Sequence, residues 1–297
     1  MCQVIYKEDK NYPKLLKKIG KEAPKQLYYK GNYDEEILEN CLAVVGSRQM
    51  TSYGKRVVEQ IVTEAAAAGI TIVSGFMYGI DATAHKAALN ARGRTIAVMP
   101  CGIDLIHPEY QQDLYSEILN NKGLIISEYE GSFAPTLWTY PKRNRIVAGL
   151  SKATLVVEAG EKSGSLITAN FAKKYKRKLF VVPGQIFSEN SKGITELLKE
   201  GASPVSSAKD ILEYFKISSP VFSERFTPKG PYATQEIQGS RFDEVEQKIM
   251  DLLKRESVEI DALSRIFKIS ASEIGTKLSL MELKGFIKKE GNKYYLC

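Results

Sequence analysis

The chain has 297 residues, 43% hydrophobic and 26% charged, enough for one sizeable core with a smaller module beside it. A formal net charge of +7 favours an anionic partner. Four scattered cysteines (Cys2, Cys41, Cys101, Cys297) form no C-x-x-C pair and have no histidine at zinc-ligand spacing, which argues against a metal site or disulfide framework and for thiols in a reducing cytosol.

Residues 1–20 alternate charged and apolar positions without a signal-type apolar run, and no stretch approaches the length of a membrane span. The expectation is a soluble cytoplasmic protein with no membrane contact. Residues 1–40 read as short helical pieces, with turns at Tyr12-Pro13 and Ala23-Pro24. From Leu42 onward, apolar runs of strand length recur at Leu42–Val45, Thr71–Ser74, Thr95–Val98, Leu124–Ser127, Thr154–Val157 and Leu179–Val182, each followed by a helix-length segment. Continuous runs rather than alternation predict strands covered on both faces. Repeated βα units of this kind predict an α/β fold over 41–215: a Rossmann-like, doubly wound, mostly parallel sheet. Residues 216–240, with Pro220, Pro228 and Pro231 and little periodicity, read as a linker.

Beyond the linker, Val245, Ile249 and Leu252 mark one helix, and Ile260, Leu263 and Ile266 a second. Ser270 with Glu273 opens a third as a capping box, with Ile274, Leu278 and Met281 facing inward. Phe286–Lys289, a Gly291-Asn292 turn and Lys293–Leu296 read as a hairpin, so 241–297 is expected to be a winged helix-turn-helix domain. Its eleven basic and ten acidic residues give it no clear positive stripe, which leaves protein contact and weak DNA contact through Lys288, Lys289 and Lys293 equally open.

Three loops concentrate groups that bind phosphate. Gly46-Ser47-Arg48 follows the first strand of the sheet and precedes a helix, offering free amides and one cation. It is not G-x-G-x-x-G and no acidic residue closes the second strand, so a dinucleotide, or any cofactor, is not expected. Trp138–Arg145 interleaves aromatic rings with Lys142, Arg143, Asn144 and Arg145, a mixture suited to single-stranded nucleic acid. The competing reading puts Trp138 and Tyr140 in the core and pairs one arginine with Glu128 or Glu158. Lys162-Ser163-Gly164-Ser165 follows a later strand and again opens a helix. From Lys142 to Lys178 there are ten basic residues against Glu158 and Glu161. Between the first two loops, Gly75 and Gly79 allow a close backbone approach. Asp81 reads as a helix N-cap, with Asp81/His85 as a less favoured acid-base pair.

Together these strings resemble the DNA-processing protein A family (DprA/Smf). Those carrying the resemblance are Tyr12-Pro13, Val45–Arg48 with Tyr53-Gly54, Ser74-Gly75 with Gly79–Asp81 and Ala84-His85, Pro141 with Arg143–Ile146 and Ala148–Ser151, Val157–Ala159 with Ser163–Ala169, and Val182–Gly184. They span roughly residues 10–205, and the winged helix matches an accessory domain of many members. The resemblance implies a protein without enzymatic turnover that binds single-stranded DNA during natural transformation or recombination. It further implies that the protein protects that DNA, helps load RecA recombinase, and forms a homodimer through the Rossmann-like domain. It carries a DNA pocket onto Gly46, Ser47, Arg48, Arg143, Asn144, Arg145, Ser163 and Gly164; Lys142, Lys162 and Ser165 complete the expected site. Arg143, on this reading, contacts phosphate and can be removed without unfolding the protein. Met77-Tyr78, Gln111 and Thr195 depart from the family pattern. The rival reading is a nucleotide-processing enzyme of the phosphoribohydrolase type on the same scaffold, with Glu128 or Glu158 as acid-base group. The chain lacks the P-G-G-x-G-T-x-x-E loop of that group.

Overall fold

The computed structural model describes residues 2–217, 243–253 and 257–296, and the chain divides into two compact units at residue 220. The expected linker lies outside the described residues from 218 on.

The first unit is built on a nine-stranded sheet: β1 (Gln3–Tyr6), β2 (Gln26–Gly31), β3 (Cys41–Val45), β4 (Thr71–Ser74), β5 (Thr95–Gly102), β6 (Leu124–Tyr129), β7 (Ala153–Val156), β8 (Lys178–Val181) and β9 (Ser203–Pro204). Their order across the sheet is β1-β2-β6-β5-β4-β3-β7-β8-β9. From β6 to β9 all neighbours are parallel, with Leu42 opposite both Ile72 and Ala153. Every residue of β3, β4, β5 and β7 is buried, as continuous apolar runs between two helical layers require. One layer closes over Val73, Val98, Ile146 and Val156, the other over Leu42, Ile72, Ala84 and Leu155.

Residues 1–40 correct the expectation of a helical segment. Short helical turns are present at Lys14–Lys17, Gly20–Glu22 and Glu35–Glu39, but the segment also supplies β1 and β2. β2 runs antiparallel to β6, with Tyr28 opposite Ser127, and β1 runs antiparallel to β2. An antiparallel pair needs only a partner edge, which β6 provides. Among the described residues no helix is long and apolar enough to cross a membrane.

In the second unit, helices Glu244–Leu253, Ile260–Phe267 and Ala271–Leu283 enclose a core of Ile249, Leu263, Ile274, Leu278 and Met281. A wing follows, in which β10 (Val258–Glu259) and β11 (Ile287–Glu290) both flank β12 (Lys293–Leu296). The Ser270 hydroxyl accepts from the Glu273 N–H and caps the third helix. The Glu282 carboxylate accepts from the Lys289 N–H at 3.0 Å, tying that helix to the wing. Lys277 on the same helix bonds Asp243, so that cation is already matched.

Candidate nucleic-acid interface

After β3 the chain lays down β4, β5 and β6 in one direction, then resumes at β7 on the other side of β3. The connections leaving the carboxyl ends of β3 and β7 therefore part, and a crevice opens between them, where open α/β sheets bind ligands. A cavity of ≈ 560 Å³ occupies it.

Three segments form its walls. Gly46, Ser47 and Arg48 leave β3, Lys162 to Ser165 lead into the helix Ser165–Lys174, and Tyr140, Arg143 and Asn144 come from the helix Thr139–Leu150. Nine of the eleven expected site residues thus surround one cavity: Gly46, Ser47, Arg48, Arg143, Asn144, Lys162, Ser163, Gly164 and Ser165. Lys142 and Arg145 are not among its lining residues. The Arg145 guanidinium meets Glu128 at 2.6 Å and donates to the Lys142 carbonyl at 3.0 Å, and Lys142 lies 3.3 Å from the same carboxylate. The alternative weighed for this loop, an arginine paired with Glu128, is the arrangement found.

Arg143 differs from a free phosphate ligand. It is only 3% exposed, and its Nη1 donates to the carbonyls of Gly75 and Val98, joining the residue after β4 to the middle of β5. Burial lowers its pKa to about 10, against the favourable field of Asp81, so it stays charged at neutral pH. A Cβ at Gly75 would lie 2.6 Å from the guanidinium, which is why this position has no side chain. This placement differs from the expected role of Arg143 as an accessible phosphate contact: the Gly75 and Val98 carbonyls both accept from it, and its charge acts on the buried Asp81.

Arg48, like Lys162, is an exposed cation of the crevice. Its guanidinium lies 5.4 Å from the Tyr140 ring centroid and 5.7 Å from that of Tyr78. Gly79 (φ 77°) shapes the loop beneath it, since a Cβ there would come 2.8 Å from the Arg48 Cα. Across the crevice the Asn144 amide donates to the Gly164 carbonyl at 3.3 Å, and the Ser163 and Ser165 hydroxyls lie 2.8 Å apart. The first turn of the helix that follows presents its positive end to the same space.

The acid-base candidates are otherwise engaged. Glu158 is buried and accepts from both the N–H and the hydroxyl of Thr51, which caps the helix after β3. Asp81 is not the N-cap; Gly79 holds that position, and the Asp81 carboxylate lies inside the first turn, accepting from the Met77 N–H at 3.4 Å. Burial raises its pKa and Arg143 opposes that rise. His85 does not pair with Asp81. Its Nδ1 meets Thr95 at 2.6 Å, its Nε2 has no partner, and burial lowers its pKa to about 3, so the ring is neutral. Of the departures, Gln111 is buried and donates to the Phe76 carbonyl at 2.9 Å, and Thr195 donates to the Ser191 carbonyl at 3.0 Å.

Sequence reasoning missed two contributors. Tyr78, noted only as a departure, exposes 43% of its surface in the crevice lining. Asn190 donates to the Gln49 carbonyl at 2.8 Å and lines the far wall, a link between distant segments that no local spacing signals.

Comparison with known proteins agrees with this geometry. The chain is 39% identical over 213 residues to the protein Smf of Synechocystis, covering 71% of the chain and 53% of that protein, so it spans about half the length of that relative. The solved structure of DNA processing protein A from Streptococcus pneumoniae superposes with a TM-score of 0.67 at 38% identity, covering 71% of this chain and 73% of that one. That of Helicobacter pylori, solved for insight into its single-stranded DNA binding mode, gives 0.65 at 33% identity, covering 73% and 96%. Residues 233–292 match the DprA winged helix domain, and residues 3–216 match the DNA recombination-mediator protein A model. On that match, extending over most of its length, the chain belongs to the DNA recombination-mediator protein A (DprA/Smf) family.

Proposed function

We propose that the crevice binds single-stranded DNA without chemical turnover. Arg48 and Lys162 meet phosphates, and the first-turn amides around Gly164 and Ser165 receive another. The Tyr78 and Tyr140 rings stack on bases, and Asn144 bonds a sugar or base edge. Arg143 serves as a fixed positive floor that shapes the crevice. The observation that carries the reading is Arg48 poised over two tyrosine rings, facing a helix N-terminus across a cavity at the sheet's switch point. Rings and cations at that spacing suit unstacked bases on a phosphate backbone, whereas duplex DNA needs an element that fills a groove.

Family membership extends the proposal. The protein acts in the cytoplasm during transformation or recombination, protects the strand, presents it to RecA, and works as a homodimer through its Rossmann-like unit. The phosphoribohydrolase alternative is disfavoured because Glu158, Glu128 and His85 are all held by structural partners.

A mobility-shift comparison of single-stranded with duplex oligonucleotides tests the reading, alongside incubation with nucleoside monophosphates. Preferential, salt-sensitive retention of the single strand with no released base is expected. Equal duplex binding, or base release, overturns it.

A further inference from the structure

We propose that a strand held in the crevice continues along the outer side of the helix Ser165–Lys174 to a second cationic surface at that helix's far end. The inference rests on the crevice reading and adds a second contact region to it.

The helix begins in the crevice wall, where Ser165 and Ile167 line the cavity, and ends at the opposite edge of the sheet. Ten residues at 1.5 Å each make that path about 15 Å, which an unstacked single strand covers in fewer nucleotides than the roughly four to five that duplex spacing would need. Ile167, Phe171 and Tyr175 recur at i, i+4 and i+8 and so share one side of the helix. Ile167 is exposed, while Phe171 and Tyr175 pack their inner edges on the core, stay half-buried and stack on each other, centroids 5.7 Å apart and planes 17° apart. Partly exposed apolar surface and rings between two cationic sites suit unstacked bases.

At the far end the N-terminal segment folds against the helix terminus. Lys174 and the Tyr175 hydroxyl both bond Glu22, at 2.9 and 3.0 Å, and Arg177 donates to the Leu15 carbonyl at 2.9 Å. These contacts bring the segment that carries Lys17, Lys18 and Lys21 to the helix end that carries Lys174 and Lys176, and all five lysines are exposed. Glu22 is the sole acidic residue between Lys14 and Lys25, and it already serves Lys174 and Tyr175. Among the described residues Lys17, Lys18, Lys21 and Lys176 have no ion-pair partner. One or two lysines suffice to offset a helix C-terminus. A net positive surface, supplied by two distant segments at the end of a path from the crevice and carrying more lysines than Glu22 and Glu200 offset, matches a phosphate backbone.

The test uses the full chain and oligothymidylates of about six and about thirty nucleotides, the shorter lying within one single-strand site. The variant K17E/K21E/K176E should bind the short strand as the unmodified protein does. It should bind the long strand at least about tenfold more weakly, with a log–log salt slope smaller by about 2, from about 0.7 per lost phosphate contact. Normal short-strand binding also shows that the variant is folded. Unchanged affinity and slope on the long strand overturn the extension and leave the crevice reading standing. Loss of short-strand binding also overturns it, because the patch would then be part of the crevice's support. An equal loss on duplex DNA overturns the assignment to single strands. If Arg48→Ala leaves both lengths unaffected, the crevice reading itself fails.

Discussion

Arg143 and Arg145 stand two residues apart on one helix, yet they serve different regions. Positions i and i+2 point about 200° apart on a helix, so the first turns towards β4 and β5 and the second towards β6. On the β6 side Glu128 waits for the cation, and Arg145 and Lys142 share that one carboxylate within the fold. On the crevice side Arg143 meets carbonyl oxygens within the field of the buried Asp81, while Arg48 and Lys162 stay exposed. A surplus of basic residues therefore locates a region but not the individual ligands. What distinguishes a ligand from a strut is whether the fold has already supplied a partner.

Arg143→Ala gives the largest effect expected from this contrast. It strips two buried carbonyls of a donor and removes a positive charge near the buried Asp81, and urea unfolding should show a loss of about 2–4 kcal/mol. A loss below 1 kcal/mol would mean the guanidinium is not the strut described. The pH response of stability comes next. Unfolded His85 takes up a proton below about 6.5 while the folded ring stays neutral down to about 3, so stability falls as pH drops through that window. Between pH 7 and 5 the expected loss is about 2 kcal/mol, and a His85→Gln variant should lack that slope. Asp81, whose folded pKa is raised, contributes with the opposite sign just above its unfolded value. Arg145→Ala should lower stability by about 1 kcal/mol, because Glu128 is left with Lys142 alone, and leave strand affinity intact. Smallest in stability, within about 0.5 kcal/mol, is Arg48→Ala at an exposed site, visible instead in binding.

Strands β3 to β8 were legible because burial on both faces imposes apolar runs of strand length, and Thr71–Ser74 shows this without any shift of boundary. The crevice was legible because glycine, serine and cations recur at the ends of β3 and β7 and at the start of one helix. The role of Arg143 was not, because its partners Gly75 and Val98 lie 68 and 45 residues away. Nor were β1 and β2, whose short apolar runs Val4–Tyr6 and Leu27–Tyr29 find their place only once β2 pairs with β6, formed much later in the chain, and β1 adds to β2. Tyr78 escaped because an exposed ring on a loop has no periodicity, and only the approach of Arg48 gives it a place.

An anisotropy titration of a short single strand against Arg48→Ala, with Arg145→Ala as the matched loss of one positive charge, tests the central claim most directly. The account predicts at least about tenfold weaker binding and a salt slope reduced by about 0.7 for Arg48→Ala, with no change for Arg145→Ala. Equal behaviour of the two variants, or a loss confined to Arg145→Ala, would contradict it.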